Sequence, residues 1–112
     1  MTLTDKNRKD LLERMIEAAK EVLNSSWLEV KPFAEQEFSH FTDNLKLIQE
    51  LTTAGKITQE QARNQMEIQK ESMRLVILCI RGVGIVAAEN TLNAIIEVIK
   101  TPVNKALGWA LL

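Results

Sequence analysis

The sequence predicts an all-α fold: an antiparallel helical hairpin extended into a bundle of three to four helices, with a long, kinked and very apolar third helix. Three observations carry this expectation. Apolar residues recur three and four apart in nearly every long window, which is the helical period. The chain has no Tyr, two Pro and four Gly, and little of the alternation expected of half-buried strands. Helix-capping patterns fall where the periodic windows begin. With 46% hydrophobic and 26% charged residues in 112, the chain reads as one domain, residues 1–112, able to bury one modest core.

The first helix is expected over about 5–24, burying Leu11, Leu12, Met15, Ile16, Ala19, Val22 and Leu23. Asn24, Ser25 and Ser26 then offer caps and a break. The second helix is expected over about 26–54. Ser26 and Glu29 have the spacing of a capping box, and Pro32 predicts a kink because it removes the hydrogen bond to residue 28. Its apolar row is Ala34, Phe38, Phe41, Leu45, Ile48 and Leu51 or Thr52, the alternating spacing of a bundle seam. Gly55 suits a left-handed helix terminus, and Thr58 with Gln61 repeats the capping-box pattern. So short a turn makes antiparallel neighbours, facing Phe38, Phe41 and Leu45 toward Ala62, Met66, Met73, Val76 and Ile80.

The third helix is expected to run over about 58–100 with a kink near Gly82. The apolar phase of Met73, Val76, Ile80, Val83 and Ala87 passes unbroken through Gly82 and Gly84. From Leu75 to Ala88 the chain is apolar on every face except at Arg81. A membrane span needs about 20 predominantly apolar residues, so this shorter run, interrupted by a charge, reads as a buried core helix. Thr101 and Pro102 have the form of an N-cap followed by a first-turn proline. They predict a last short helix over 102–111 carrying Val103, Ala106, Leu107, Trp109 and Leu111.

A helix that is dry all round needs neighbours all round, and one short chain supplies few. A homo-oligomer, dimer or higher, is therefore expected, with Leu75, Ile77, Leu78 and Ile85 at the contact. Each large apolar side chain left in water forgoes about 1.5–3 kcal/mol. The leading functional expectation is a non-enzymatic, self-assembling helical bundle that needs no cofactor.

Glu37 and His40 form a Glu-x-x-His on one helix side, and His40 is the single histidine. This motif resembles the ligand pairs of ferritin-like di-iron and di-manganese bundles, where two such motifs and two further carboxylates make the site. Counting back from a turn near Lys56 puts Glu71 at the level of His40. The resemblance therefore implies an alternative, a dimeric iron- or manganese-binding protein with Glu37, His40 and Glu71 as ligands. Phe33, Glu37, His40, Asn44, Leu47 and Leu51 line a second stripe, so the candidate ligands interrupt a partly apolar face. A further alternative is a membrane-active protein whose apolar C-terminal third and Trp109 meet lipid.

Other function classes find little support. Lys plus Arg at 14 against Asp plus Glu at 15 leave no basic field for nucleic acid. Gly82 and Gly84 lack the Lys-Ser or Lys-Thr of a phosphate loop. Cys79 sits among Val76, Leu78 and Ile80 as a buried, inert thiol. One cysteine forms no intrachain disulfide, and Met1 to Lys6 carry no apolar signal run, so a cytoplasmic protein is expected.

Overall fold

Each periodic window folds as a helix in the computed structural model, which describes residues 5–79 and 83–112. The elements are α1 (Asp5–Leu23), α2 (Trp27–Thr53), α3 (Gln59–Leu78) and α4 (Ile85–Leu107), and no strand occurs among the described residues. A one-turn 3-10 helix, Asn24–Ser26, joins α1 to α2, and Asn24 takes the left-handed conformation with φ +48°. At about 1.5 Å per residue the 27-residue α2 is about 40 Å long, which accounts for the longest dimension of 43 Å.

Three contacts between helices give their direction. Arg8 pairs with Asp43 across α1 and α2, Ser72 donates to Glu37 across α2 and α3, and Arg74 donates to Glu89 across α3 and α4. Each joins residues about equally far from the intervening turn, so successive helices are antiparallel. Extensive packing of α1 on α4 closes the ring into an up-down-up-down bundle.

The core lies where the four apolar stripes meet. Leu11, Met15 and Ala19 of α1, Phe38, Phe41 and Leu45 of α2, Met66, Met73 and Ile77 of α3, and Leu92, Ile95 and Ile99 of α4 are buried. The expected hairpin of α2 and α3 is present. Thr58 caps α3 as a full capping box, its Oγ1 accepting from the Gln61 amide at 3.1 Å while Gln61 Oε1 accepts from the Thr58 amide at 2.8 Å. Gly55 ends the preceding turn at φ +72°.

The second half of the chain differs from expectation. No single helix covers 58–100: α3 stops at Leu78, Gly84 is extended (φ −79°, ψ 171°) as the N-cap of α4, and α4 folds back along α3. Periodicity carried across this break because Val83, Ile85 and Val86 keep the apolar composition of the sequence before it. Ile80, Arg81 and Gly82, where the kink was expected, lie outside the described residues. Nor is the apolar stretch from Leu75 to Ala88 a buried core helix, since Leu75, Cys79, Ile85 and Val86 are exposed along it.

Pro102 lies inside α4 and starts no new helix. Each proline leaves the carbonyl four residues earlier without its helical partner. Those carbonyls belong to Leu28 and Val98, both exposed, where water can replace the lost donor, so neither α2 nor α4 ends at its proline. Ser26 makes no side-chain cap bond, so the expected capping box with Glu29 is absent. The chain after α4 is instead turned back at Gly108, in the left-handed conformation at φ +83°. There Asn104 Oδ1 accepts from the Leu111 and Leu112 amides, and Arg63 of α3 donates to the Ala110 carbonyl and lies 5.3 Å over the Trp109 ring.

Candidate functional site

The outer side of the α1–α4 half of the bundle is strongly charged. Its groove is lined by Asp10, Glu13, Arg14, Glu17 and Glu21 with Ala18 and Val98. The outer side of the α2–α3 hairpin is the opposite in kind. A residue every seven on a helix returns to nearly the same face, drifting only about 20°. On α2 this places Phe33, His40 and Leu47 in one outward row, and on α3 it places Gln61, Ile68 and Leu75 in another. Phe33 is 68% exposed, Leu47 49%, Ile68 60% and Leu75 55%.

At one end of this face lies a groove of about 580 Å³, walled by Glu29, Phe33, Gln36, Glu37 and His40 of α2, by Val76 of α3 and by Cys79, which caps α3. The polar residues that separate the apolar ones are Gln36, Glu37, Asp43 and Asn44 on α2 and Asn64, Gln65, Glu71 and Ser72 on α3, five of these eight being uncharged. Asn44 Nδ2 donates to Gln69 Oε1 at 2.7 Å and Ser72 Oγ donates to Glu37 Oε1 at 2.7 Å, so α2 and α3 are tied together by two polar pairs. Exposed apolar rows separated by satisfied polar groups have a composition in common with interface cores.

The candidate metal ligands do not converge. His40 is exposed on the outer row, Glu37 accepts from Ser72, and Glu71 pairs with Arg74. Among the described residues no three His, Cys, Asp or Glu side chains gather closely enough to hold a metal ion. Arg74 holds both Glu71 and Glu89. The hydrogen bond to Glu89 raises its pKa most, opposed in part by desolvation and assisted by the charge of Glu71. It therefore remains a cation wherever the protein is folded, and the carboxylate of Glu71 is directed to it.

The expected contact residues divide. Leu75 lies on the exposed row and Leu78 is half-buried, whereas Ile77, at 1% exposure, belongs to the chain's own core. A second copy cannot reach it. Ile85 is exposed at the start of α4, outside the two rows. Cys79 is exposed, against the expectation of a buried thiol. Of the exposed apolar residues on this face, the sequence placed Phe33 and Leu47 in a second stripe but did not single out Ile68. The seven-residue spacing of Phe33, His40 and Leu47, and of Gln61, Ile68 and Leu75, was the signal that marks them. No helix among the described residues is long and apolar enough to cross a membrane.

No protein-family model matches this chain, and no curated protein or solved structure shows significant similarity to it.

Proposed function

We propose that this protein acts by association rather than by catalysis, as a helical module that assembles with copies of itself through the outer face of the α2–α3 hairpin. One observation carries the reading. Four of the five large apolar side chains of α2 and α3 that are exposed, Phe33, Leu47, Ile68 and Leu75, lie on this side in two neighbouring rows, and Leu28 lies elsewhere. The fold does not need them there, because the core is already filled by the inner stripes. Exposed apolar rows that lie beside each other are retained where a partner covers them.

The size of the face sets the strength. From Phe33 to Leu51 is about 27 Å along the helix, and two helices about 10 Å apart present a face about 20 Å wide, or about 500 Å² per copy. A total near 1,000 Å² is the lower bound of specific interfaces, so the assembly is weak and concentration-dependent. Light scattering behind size exclusion tests it. Wild-type protein should approach twice 12.7 kDa as concentration rises, and Leu75→Glu should stay at 12.7 kDa with its helical spectrum intact. A mass that Leu75→Glu leaves unchanged would remove the reading.

A further inference from the structure

Resting on the proposal that this face self-associates, we infer that the second copy docks α2 against α2 and α3 against α3, each pair antiparallel, about a two-fold axis crossing the hairpin at His40.

The positions of the apolar side chains give the axis. Phe33 and Leu47 lie at equal distances along α2 on either side of His40. Ile68 and Leu75 lie at equal distances on either side of the point between Glu71 and Ser72 on α3. The cross-helix bonds Glu37–Ser72 and Asn44–Gln69 put that point at the level of His40. One axis lying in the face and perpendicular to the helices is therefore the centre of both pairs. Rotation about it places Phe33 on the partner's Leu47, Leu47 on the partner's Phe33, and Ile68 on the partner's Leu75.

A two-fold interface must bring the same patch onto itself, and few patches have their apolar groups so placed that apolar meets apolar. The other axis available in the face, running along the groove, would lay α2 on the partner's α3. It would set Leu75 on the partner's Gln36, Ile68 on the partner's Asp43 and Leu47 on the partner's Asn64, leaving only Phe33, opposite the half-buried Leu78, with an apolar neighbour. The carboxylates on the face, Glu37, Asp43 and Glu71, are each bonded within their own chain, to Ser72, Arg8 and Arg74, although the crossing axis brings Glu71 close to the partner's Glu71.

The two axes also differ at Cys79. About the crossing axis the two Cys79 thiols end about 22 Å apart, one beyond each end of the contact, while position 40 meets its own copy at the centre. About the axis along the groove the two Cys79 residues would be level with each other.

Reciprocal charge exchange and cross-linking test the register together. Phe33→Lys and Leu47→Glu should each weaken dimerisation at least tenfold. The double variant should recover most of the loss, because every new lysine then faces a glutamate of the partner. Within one chain the two positions are about 21 Å apart and cannot pair. His40→Cys in a Cys79→Ser background should oxidise to a covalent dimer, whereas wild-type protein, with Cys79 alone, should not. A wild-type dimer in which the double variant stays dissociated, or in which Cys79 cross-links and position 40 does not, overturns the register while leaving self-association standing. A wild-type chain that is monomeric at every concentration removes both.

Discussion

Ser72 Oγ donates to Glu37 Oε1 at 2.7 Å, joining the middle of α3 to the middle of α2 across the outer groove. This bond holds the two apolar rows level with each other, and Glu37 is thereby a structural residue before it is anything else. A half-buried hydrogen bond to a carboxylate contributes about 1.5–3 kcal/mol when desolvated and less when water reaches it. Ser72→Ala should therefore lower stability by about 1 kcal/mol in urea denaturation. No change would show that the bond does not fix the register.

Capping offers a paired comparison. Thr58 makes a complete capping box and Ser26 makes no cap bond. Thr58→Ala should cost about 1 kcal/mol by loss of the cap, while Ser26→Ala should fall within about 0.5 kcal/mol of wild type, as surface changes do. Equal effects measured by thermal melting would contradict the assigned helix starts.

Ile77 and Leu75 are two residues apart on α3, one in the core and one on the outer face. A carboxylate buried without a partner costs several kcal/mol, so Ile77→Glu should abolish the cooperative melt. Leu75→Glu should keep the melt and the helical circular dichroism. If Ile77→Glu melts like wild type, the inner stripe has been assigned to the wrong side.

Much of this fold is legible in the sequence for a physical reason. Phe38, Phe41 and Leu45 face Met66 and Met73 in both the periodicity and the structure, because burial requires the helical period and the Gly55 to Thr58 turn is written in residues with few other uses. The α3–α4 turn is not legible, because Val83 and the first residues of α4, Ile85 and Val86, continue the apolar character of Leu75 to Leu78. Pro102 misleads because a proline tolerated at an exposed carbonyl looks, in sequence, like one that starts a helix. The outer face was half visible. The stripe through Phe33, His40 and Leu47 was apparent, but its pairing with Ile68 and Leu75 depends on how α3 is rotated against α2, which only packing decides.

The Glu37, His40 and Glu71 set makes a separate prediction. Ser72 and Arg74 already engage the two carboxylates, so first-row divalent ions should leave the melting temperature unchanged. His40→Ala should respond to them no differently. A metal-dependent rise of several degrees that His40→Ala abolishes would restore the di-metal reading, since binding to the native state stabilises it by mass action.

Arg74 ties α3 to α4 through Glu89 while holding Glu71. Its pKa is raised, so by linkage its contribution is present at neutral pH and is lost only in strong base. Arg74→Met should lower the melting temperature modestly at low salt, and the difference should shrink at high salt as screening weakens the wild-type pairs. A salt-independent loss would assign the effect to packing of the side-chain stem.

The central claim, that the outer α2–α3 face meets a second copy, is tested most directly by amide spectra of isotopically labelled wild-type protein recorded over a dilution series. Signals from residues 33–51 and 61–79 should move together with one dissociation constant, and those of the charged face of α1, residues 6–21, should stay in place. Spectra that do not change with concentration, or that change on α1 instead, would contradict the claim.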